Sequence, residues 1–139
     1  MKNTISLNRN EQFLNVYRNG KRSYHKYFTL YYIPNNRQIN RLGFKVNKKL
    51  AKAVKRNRIR RLLRESYRLS ETSIKVGYDF ILAAREGCLD VATFDDVSRA
   101  VNKMFSFANL FTDSEDNWLN YEKDSYLFNP LLSEKNIGI

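Results

Sequence analysis

The 139-residue sequence is poor in the residue types that build most catalytic and metal sites. It contains one cysteine, Cys88, and one histidine, His25. A single cysteine excludes an internal disulfide, and no Cys/His pair has the spacing of zinc ligands. One histidine excludes a pair of histidines acting as acid and base, and no glycine-rich phosphate loop is present. We therefore expect no catalytic side chain and no metal site on the protein, and we interpret Cys88 as a small loop or core residue.

Long apolar runs are also missing. No window approaches 18 consecutive apolar residues, so no transmembrane helix is predicted, and the N-terminus lacks the apolar segment of a signal peptide. The prediction is a cytoplasmic protein without a membrane partner. With 42% hydrophobic and 14% aromatic residues, the chain is expected to bury a core, and its length is that of one domain.

Acidic residues are scarce in the first half of the chain. Residues 1–70 carry 19 Lys and Arg against Glu11 and Glu65, a net charge of +17, whereas residues 71–139 have a net charge of −6. A strong one-sided basic field favours a polyanion as partner. A membrane surface is the weaker alternative, because an interfacial helix would place large apolar residues opposite its charges with no other domain to bury them.

The segment 7–21 has the pattern of a short helix. Asn8 is the expected N-cap, Glu11 three residues later completes a capping box, and Gly20 suits a left-handed position just past the helix end. The apolar face of this helix is predicted to consist of Phe13, Val16 and Tyr17.

Three further segments have the alternation or the apolar runs of strands. Residues 24–33 and 39–48 are expected to pair as a hairpin around a turn at 34–38, and the first of them is long enough to break into two strands. Residues 76–85 are almost continuously apolar, which is typical of a central strand.

Two more helices and a segment without periodicity complete the chain. Helical periodicity runs over about 50–69 and again after Thr93, which is expected to cap the last helix. The predicted core stripe of that helix is Val97, Ala100, Val101, Met104, Phe105 and Ala108. The order helix, strand, strand, helix, strand, helix predicts an α+β sandwich. Residues 112–139 carry six acids against two bases, so we divide the chain into a domain at 1–111 and an acidic, aromatic C-terminal tail at 112–139.

The helix that follows residue 52 has its charges sorted onto one face. On a helical wheel the apolar arc holds Ile59, Leu62, Leu63, Ser66 and Leu69, and the opposite face holds Asn57, Arg60, Arg61, Arg64 and Arg68. Its only acid, Glu65, falls off the arginine face. Like charges at i,i+4 cost a few tenths of a kcal/mol each, and arginine binds phosphate in a bidentate way. This face therefore indicates nucleic-acid binding rather than a solvated helix surface.

Aromatic residues indicate which nucleic acid is bound. A major-groove helix usually belongs to a small helical bundle, whereas this helix is expected to pack on a sheet. Single strands are bound by basic grooves with aromatic platforms, at about 1–3 kcal/mol per stacked base. Phe13, Tyr17 and Tyr31 are candidates for such a groove, and ordinary packing is the alternative for each of them.

Residues 41–65, RLGFKVNKKLAKAVKRNRIRRLLRE, resemble the signature of the bacterial ribonuclease P protein component. In that family a strand ends in a Lys-Lys pair, and Ala-Val-x-Arg-Asn-x-x-Lys/Arg-Arg-x-x-Arg follows on a helix. The pattern appears here as Lys48-Lys49, Ala53-Val54, Arg56-Asn57, Arg60-Arg61 and Arg64. The resemblance extends over roughly residues 5–110, and Asn47 stands where the family usually has Ser.

The resemblance implies a fold and a set of partners. The fold would be a two-layer α+β sandwich, ribosomal-protein-like, with about three helices on a four-stranded mixed sheet. A left-handed βαβ crossover would pass through the basic helix, against the usual right-handed rule. The protein would be monomeric in a 1:1 complex with the ribonuclease P catalytic RNA. That RNA, which would bind most of the Mg²⁺, would cleave the 5′ leader from precursor tRNA.

The resemblance also implies two sets of site residues. The catalytic RNA would contact the residues of the basic segment, Lys48, Lys49, Lys52, Lys55, Arg56, Asn57, Arg58, Arg60, Arg61, Arg64 and Arg68. The leader would lie in a cleft between the basic helix and the sheet, lined by Phe13, Tyr17, Thr29, Tyr31, Asn57, Arg61 and Arg64. The alternatives are a ribosomal-protein-like rRNA-binding protein without a nuclease role and a sequence-specific DNA regulator.

Overall fold

Five strands and three α-helices make up the part of the chain that the computed structural model describes, residues 1–88 and 93–112. In chain order they are β1 Thr4–Ser6, α1 Asn10–Asn19, β2 Lys21–Tyr24, β3 Phe28–Pro34, β4 Asn40–Lys45, α2 Ala53–Ser70, β5 Tyr78–Ala84 and α3 Phe94–Phe107. A short 3₁₀ turn, Glu71–Ser73, follows α2. The predicted tail lies outside the described residues except for Thr112.

The strands form one mixed sheet in the order β1-β4-β5-β3-β2. The apolar strand β5 is central, as predicted. The segment 24–33 does not divide into two strands: it holds most of β3, and the antiparallel strand β2 lies before it except for Tyr24. The predicted hairpin of 24–33 with 39–48 is wrong. Strand β5 lies between β3 and β4, antiparallel to the first and parallel to the second.

The α+β class and the three helices agree with the sequence prediction. The sheet has five strands instead of four, because Thr4–Ser6 pairs in parallel with β4. Helix α2 connects the parallel neighbours β4 and β5, which is the expected βαβ crossover through the basic helix. Its left-handedness stays a prediction.

Two apolar clusters cover the two faces of the sheet. The larger one packs α2 and α3 against alternate residues of the strands, among them Leu30, Phe80 and Leu82. The smaller one packs Val16 of α1 against Ile81, whose side chain points to the other face. Helix α1 therefore adds a third layer to the two that were expected.

The first helix begins differently from the sequence prediction. Its N-cap is Arg9 and not Asn8. The Oε1 atom of Gln12 accepts hydrogen bonds from the backbone N–H groups of Asn8 at 3.3 Å and Arg9 at 3.1 Å. Gln12 therefore has the role in the capping box that the sequence prediction gave to Glu11. A neutral amide thus satisfies the free N–H groups ahead of α1.

Gly20 is required by close packing and not by a left-handed backbone. Its φ of −84° is open to any residue. A Cβ atom here would lie 2.5 Å from the Val16 carbonyl oxygen and 2.8 Å from that of Tyr32. Because both atoms belong to the backbone, only glycine lets β2 start this close to the end of α1.

The buried arc of α2 is rotated from the predicted one. Ile59, Leu63 and Ser66 are buried as expected and Leu62 is partly buried, but Leu69 is 57% exposed and Tyr67 takes its place in the core. The Tyr67 hydroxyl is 2.7 Å from the Thr4 hydroxyl, so an aromatic ring with a polar tip fixes α2 to β1. Burial raises the pKa of Tyr67.

A buried ion pair joins β4 to β5 on the α1 face. The Asp79 carboxylate accepts hydrogen bonds from Arg41 Nε at 2.7 Å and Arg41 Nη2 at 2.6 Å, and from Asn35 Nδ2 at 3.0 Å. Arg41 and Asp79 are partners in the parallel register of β4 and β5. The ion pair therefore depends on this strand pairing.

The last helix follows the sequence prediction. Thr93 caps α3 by accepting the N–H of Asp96 at 3.3 Å, and the predicted stripe of Val97, Ala100, Val101, Met104 and Phe105 is buried. The next member of the stripe, Ala108, is only partly buried. Cys88 is buried, in agreement with its interpretation as a core residue.

Candidate nucleic-acid interface

The basic segment presents a row of solvent-exposed cations. The exposed members of the predicted set are Lys48, Lys49, Lys52, Lys55, Asn57, Arg58, Arg61, Arg64 and Arg68, and the partly buried ones are Arg56 and Arg60. All of them lie on α2 or on the loop that leads into it. The structure thus holds these residues together as one basic surface.

The loop before α2 is shaped by Asn47. Its Oδ1 atom accepts the backbone N–H of Lys49 at 3.0 Å, and its carbonyl oxygen accepts the N–H of Leu50 at 3.0 Å. A side chain that bonds to the backbone two residues later is typical of asparagine in turns. Asn47 therefore fixes the turn in which Lys48 and Lys49 project into solvent.

The start of α2 is electrostatically unfavourable without a partner. The N-cap Lys52 makes no side-chain capping bond and the first turn contains no acid. Lys55 and Arg56 instead place positive charge at the positive end of the helix dipole. A phosphate near this end would be stabilised by both the free N–H groups and the side-chain charges.

Three of the arginines are oriented by contacts within the protein. Arg60 Nη1 donates to Asn57 Oδ1 at 3.1 Å, and Arg56 Nη1 donates to the carbonyl oxygen of Ala51 at 3.0 Å. The Arg64 guanidinium lies 5.3 Å from the ring centroid of Phe44. These contacts leave the charges unneutralised, since none of the partners is acidic.

One arginine of the predicted face is neutralised. Glu65 forms a two-point ion pair with Arg68, with Arg68 Nε 3.0 Å from Glu65 Oε2. Within the described residues, Arg68 is the only cation of α2 that takes part in a salt bridge. Although Glu65 falls off the arginine face on the wheel, its side chain reaches Arg68 three residues later, so the cations without an acidic partner are centred on Asn57, Arg61 and Arg64.

An aromatic cluster lies on the α1 face of the sheet. Ring centroids of Phe13 and Tyr17 are 6.4 Å apart, and Tyr17 meets Tyr31 edge to face at 4.8 Å. The Arg22 guanidinium lies 5.2 Å from the Tyr31 centroid. The Tyr17 hydroxyl is buried without a hydrogen-bond partner among the described residues. Burial and the neighbouring Tyr31 raise its pKa, so it is a neutral donor.

The strand registers extend this aromatic surface beyond α1. Tyr24 pairs with Thr29, Thr29 with Ala83, and Ala83 with Lys45, so these four residues cross the sheet in one row. Thr29 is only 4% exposed, whereas Tyr24 and Lys45 are exposed at the two ends of the row. The sequence prediction missed Arg22, Tyr24 and Lys45, although the alternation along β2 and β4 could have placed them on this face.

The predicted cleft residues fall into two groups. Phe13, Tyr17, Thr29 and Tyr31 belong to the α1 face. Asn57, Arg61 and Arg64 belong to α2, which packs on the other face. Ile59, Leu63 and Tyr67 of α2 belong to the buried cluster on that face, and the common cleft stays a prediction.

Residues 1–88 and 93–112 contain no group of three or more His, Cys, Asp and Glu side chains that could hold a metal ion. In the same residues, no helix has the length and apolar character needed to cross a membrane.

Comparisons with known proteins agree on one family. A sequence model of the family described as Ribonuclease P matches residues 1–109. The ribonuclease P protein component of Caldanaerobacter subterraneus subsp. tengcongensis is 38% identical over 109 residues, which are 78% of this chain and 93% of that protein. The corresponding component of Alkaliphilus oremlandii is 39% identical over 114 residues, 82% of this chain and 99% of that protein.

A solved structure gives the same result for the fold. The Staphylococcus aureus RNase P protein superposes with a TM-score of 0.68 at 31% identity, covering 78% of this chain and 97% of that one. These matches favour ribonuclease P over an rRNA-binding or DNA-regulating role. The chain belongs to the family of bacterial ribonuclease P protein components, which are the protein partners of the ribonuclease P RNA in a ribonucleoprotein endoribonuclease.

Proposed function

We propose that the protein binds two RNAs with opposite faces of its sheet: the ribonuclease P RNA on α2 and the 5′ leader of precursor tRNA on the α1 face. The observation that carries this proposal is the separation of the two surfaces. Helix α2, which carries the cations, packs in the apolar cluster on one face of the sheet, and the ring cluster of α1 packs in the cluster on the other face. Two RNA strands can therefore be bound at once without competing for the same side chains.

Helix α2 suits a folded RNA. Its exposed face offers cations in fixed positions and, apart from Phe44 under Arg64, little aromatic surface. Guanidinium groups held in this way bind phosphates of a preformed backbone in a bidentate manner. Such contacts depend on the shape of the RNA backbone and not on its sequence.

The α1 face suits a single strand. Bases of an unpaired leader can stack on the rings of Phe13 and Tyr31, while Arg22 and Lys45 at the borders of the surface contact the phosphates. Mature tRNA has no leader and gains nothing from this surface.

The protein in this proposal assists and does not perform the cleavage. The RNA subunit and its Mg²⁺ ions cleave the leader, and the arginines of α2 neutralise phosphates that Mg²⁺ would otherwise screen. We expect one protein per RNA and a cytoplasmic location, where precursor tRNA is processed.

Replacing Phe13 and Tyr31 together with alanine tests the leader surface. We expect the preference for precursor over mature tRNA to fall by roughly 1–3 kcal/mol for each base that no longer stacks, because only the precursor stacks on these rings. Affinity for the ribonuclease P RNA should stay the same. The measurement is binding of both tRNAs to the reconstituted holoenzyme.

The control for this experiment removes two half-buried aromatic residues from the other face of the sheet, Tyr78 and Phe111. It matches the loss of packing without touching the leader surface, and unfolding curves should be recorded for both variants. An equal loss of affinity for precursor and mature tRNA in the Phe13/Tyr31 variant would place the leader elsewhere.

A further inference from the structure

A second basic pocket lies at the free edge of β2. It has a volume of about 480 Å³ and opens between β2, β3 and the C-terminal end of α3. The cations Arg22, Lys26, Arg85 and Lys103 line it, and no Asp or Glu of the described residues does. None of these cations belongs to the basic segment of α2, so this pocket is a separate positive surface.

Aromatic rings form the other part of the lining. Tyr24, Tyr32 and Phe107 face the pocket, and Lys103 Nζ lies 5.8 Å from the Phe107 ring centroid. The volume is within the range of about 300–1,000 Å³ that is usual for pockets of small ligands. Cations and rings in one concave site are the two features by which proteins hold single-stranded RNA.

Two backbone carbonyl oxygens near the pocket already accept hydrogen bonds from other groups of the protein. The Met104 carbonyl oxygen accepts the Ser23 hydroxyl at 2.7 Å and the backbone N–H of Ala108 at 3.1 Å. Arg85 Nη1 donates to the His25 carbonyl oxygen at 3.2 Å. These oxygens are satisfied within the protein, so they oppose the entry of an anion less than free carbonyl groups would.

The pKa of the half-buried His25 imidazole reflects the positive charge of the pocket. Burial lowers its pKa, and the positive charges of Lys103 and Arg85 lower it further. Its Nδ1 atom accepts the backbone N–H of Tyr27 at 3.2 Å, so the neutral ring carries its proton on Nε2. The imidazole thus brings no negative charge to the pocket.

The pocket is continuous with the α1 face. In the register of β2 and β3, Arg22 pairs with Tyr31 and Tyr24 with Thr29, which are residues of the proposed leader surface. Arg22 and Tyr24 also line the pocket. Because β2 is an edge strand, a chain that leaves the α1 face past Tyr31 can turn around β2 and enter the pocket.

We infer that the β2-edge pocket binds a nucleotide of the same leader farther upstream, with its phosphate among the four cations and its base against Tyr24 or Phe107. This inference rests on the proposed leader surface of α1. It predicts that the protein senses leader length, since a short leader ends on the α1 face and a longer one also fills the pocket.

The test uses the holoenzyme and a series of precursor tRNAs with leaders of increasing length. Lys26→Gln with Arg85→Gln removes two charges of the pocket, and the matched control Arg37→Gln with Arg99→Gln removes two charges elsewhere. The pocket variant should bind long-leader precursors about tenfold more weakly and short-leader precursors normally. The control should match the unmodified protein at all lengths.

Two results would overturn the inference. One is an unchanged affinity for every leader length, and the other is an equal loss for all lengths and for mature tRNA, which would assign the pocket to the tRNA body or the RNA subunit. The Phe13/Tyr31 variant distinguishes these results from a failure of the proposed leader surface on α1. If that surface binds the leader, this variant should already bind short-leader precursors more weakly.

A photocrosslinker at position 26 of the full chain identifies what occupies the pocket. Crosslinks to upstream leader nucleotides are the expected result. Crosslinks to the acidic residues 113–139 of the same chain, or to the ribonuclease P RNA, would show a different occupant and contradict the inference.

Discussion

Replacing Arg61 or Arg64 with alanine is expected to weaken binding of the ribonuclease P RNA by roughly 1–3 kcal/mol, the cost of removing a charge-assisted hydrogen bond. Both side chains are exposed on the part of α2 where the described residues provide no carboxylate partner. The slope of log affinity against log salt should become shallower by about 0.7–0.9 for each phosphate that the variant no longer binds. Titration of the RNA at several salt concentrations measures both quantities.

The matched control is Arg99→Ala, which removes an arginine from α3. Arg68→Ala is a second comparison, because Glu65 already neutralises Arg68 and its removal should cost less than that of Arg61. If Arg61→Ala, like Arg99→Ala, changes neither the affinity nor the salt slope, α2 is not the interface with the RNA subunit.

The largest loss of stability is expected for Asp79→Ala. Arg41 and Asp79 have side chains that are 16% and 2% exposed, so this substitution leaves a mostly buried guanidinium without its carboxylate. Breaking a buried pair by removing one partner costs about 3–5 kcal/mol. The free energy of unfolding from denaturant titration is the relevant measurement.

Glu65→Ala serves as the control for Asp79→Ala. It breaks the pair with Arg68, in which both side chains are about half exposed, and a surface pair contributes roughly 0–1 kcal/mol. Similar losses for the two variants would mean that the pair between β4 and β5 is not the stabilising contact that its burial indicates.

The sequence predicts where most helices and strands lie, but not which strands pair with each other. Periodicity locates α2, α3 and the apolar β5, because each is long enough to show its pattern. It does not locate β1, whose three residues have no measurable period. Nor does it show that β5 is inserted between β3 and β4, since strand propensity is a property of each segment and pairing is a property of the whole sheet.

Side-chain surroundings explain the remaining differences. On a helical wheel Leu69 is apolar and Tyr67 carries a polar hydroxyl, so the wheel favours burial of Leu69. In the structure the Thr4 hydroxyl is the hydrogen-bond partner that allows Tyr67 to enter the core. Gly20 has the sequence context of a helix cap, and only the approach of Tyr32 reveals its packing role. The role of Arg22 depends on the register of β2 against β3, which places it beside Tyr31.

The distribution of the predicted cleft residues over α1, β3 and α2 also follows from the fold. The family resemblance implies one cleft for the aromatic residues and the arginines. Ile81 packs with α1 while its neighbours Phe80 and Leu82 pack with α2 and α3, so this alternation places the two layers of helices on opposite faces of the sheet. The proposal that the protein binds two RNAs on two faces therefore depends on the fold and not on the sequence alone.

Leader release by the reconstituted enzyme tests this account most directly. Purified protein, ribonuclease P RNA and precursor tRNA are combined over a series of Mg²⁺ concentrations, with the RNA alone as reference. We expect the protein to allow leader release at Mg²⁺ concentrations where the RNA alone is inactive, and Arg61→Ala/Arg64→Ala to reduce this effect. The same Mg²⁺ dependence with and without the protein would contradict it.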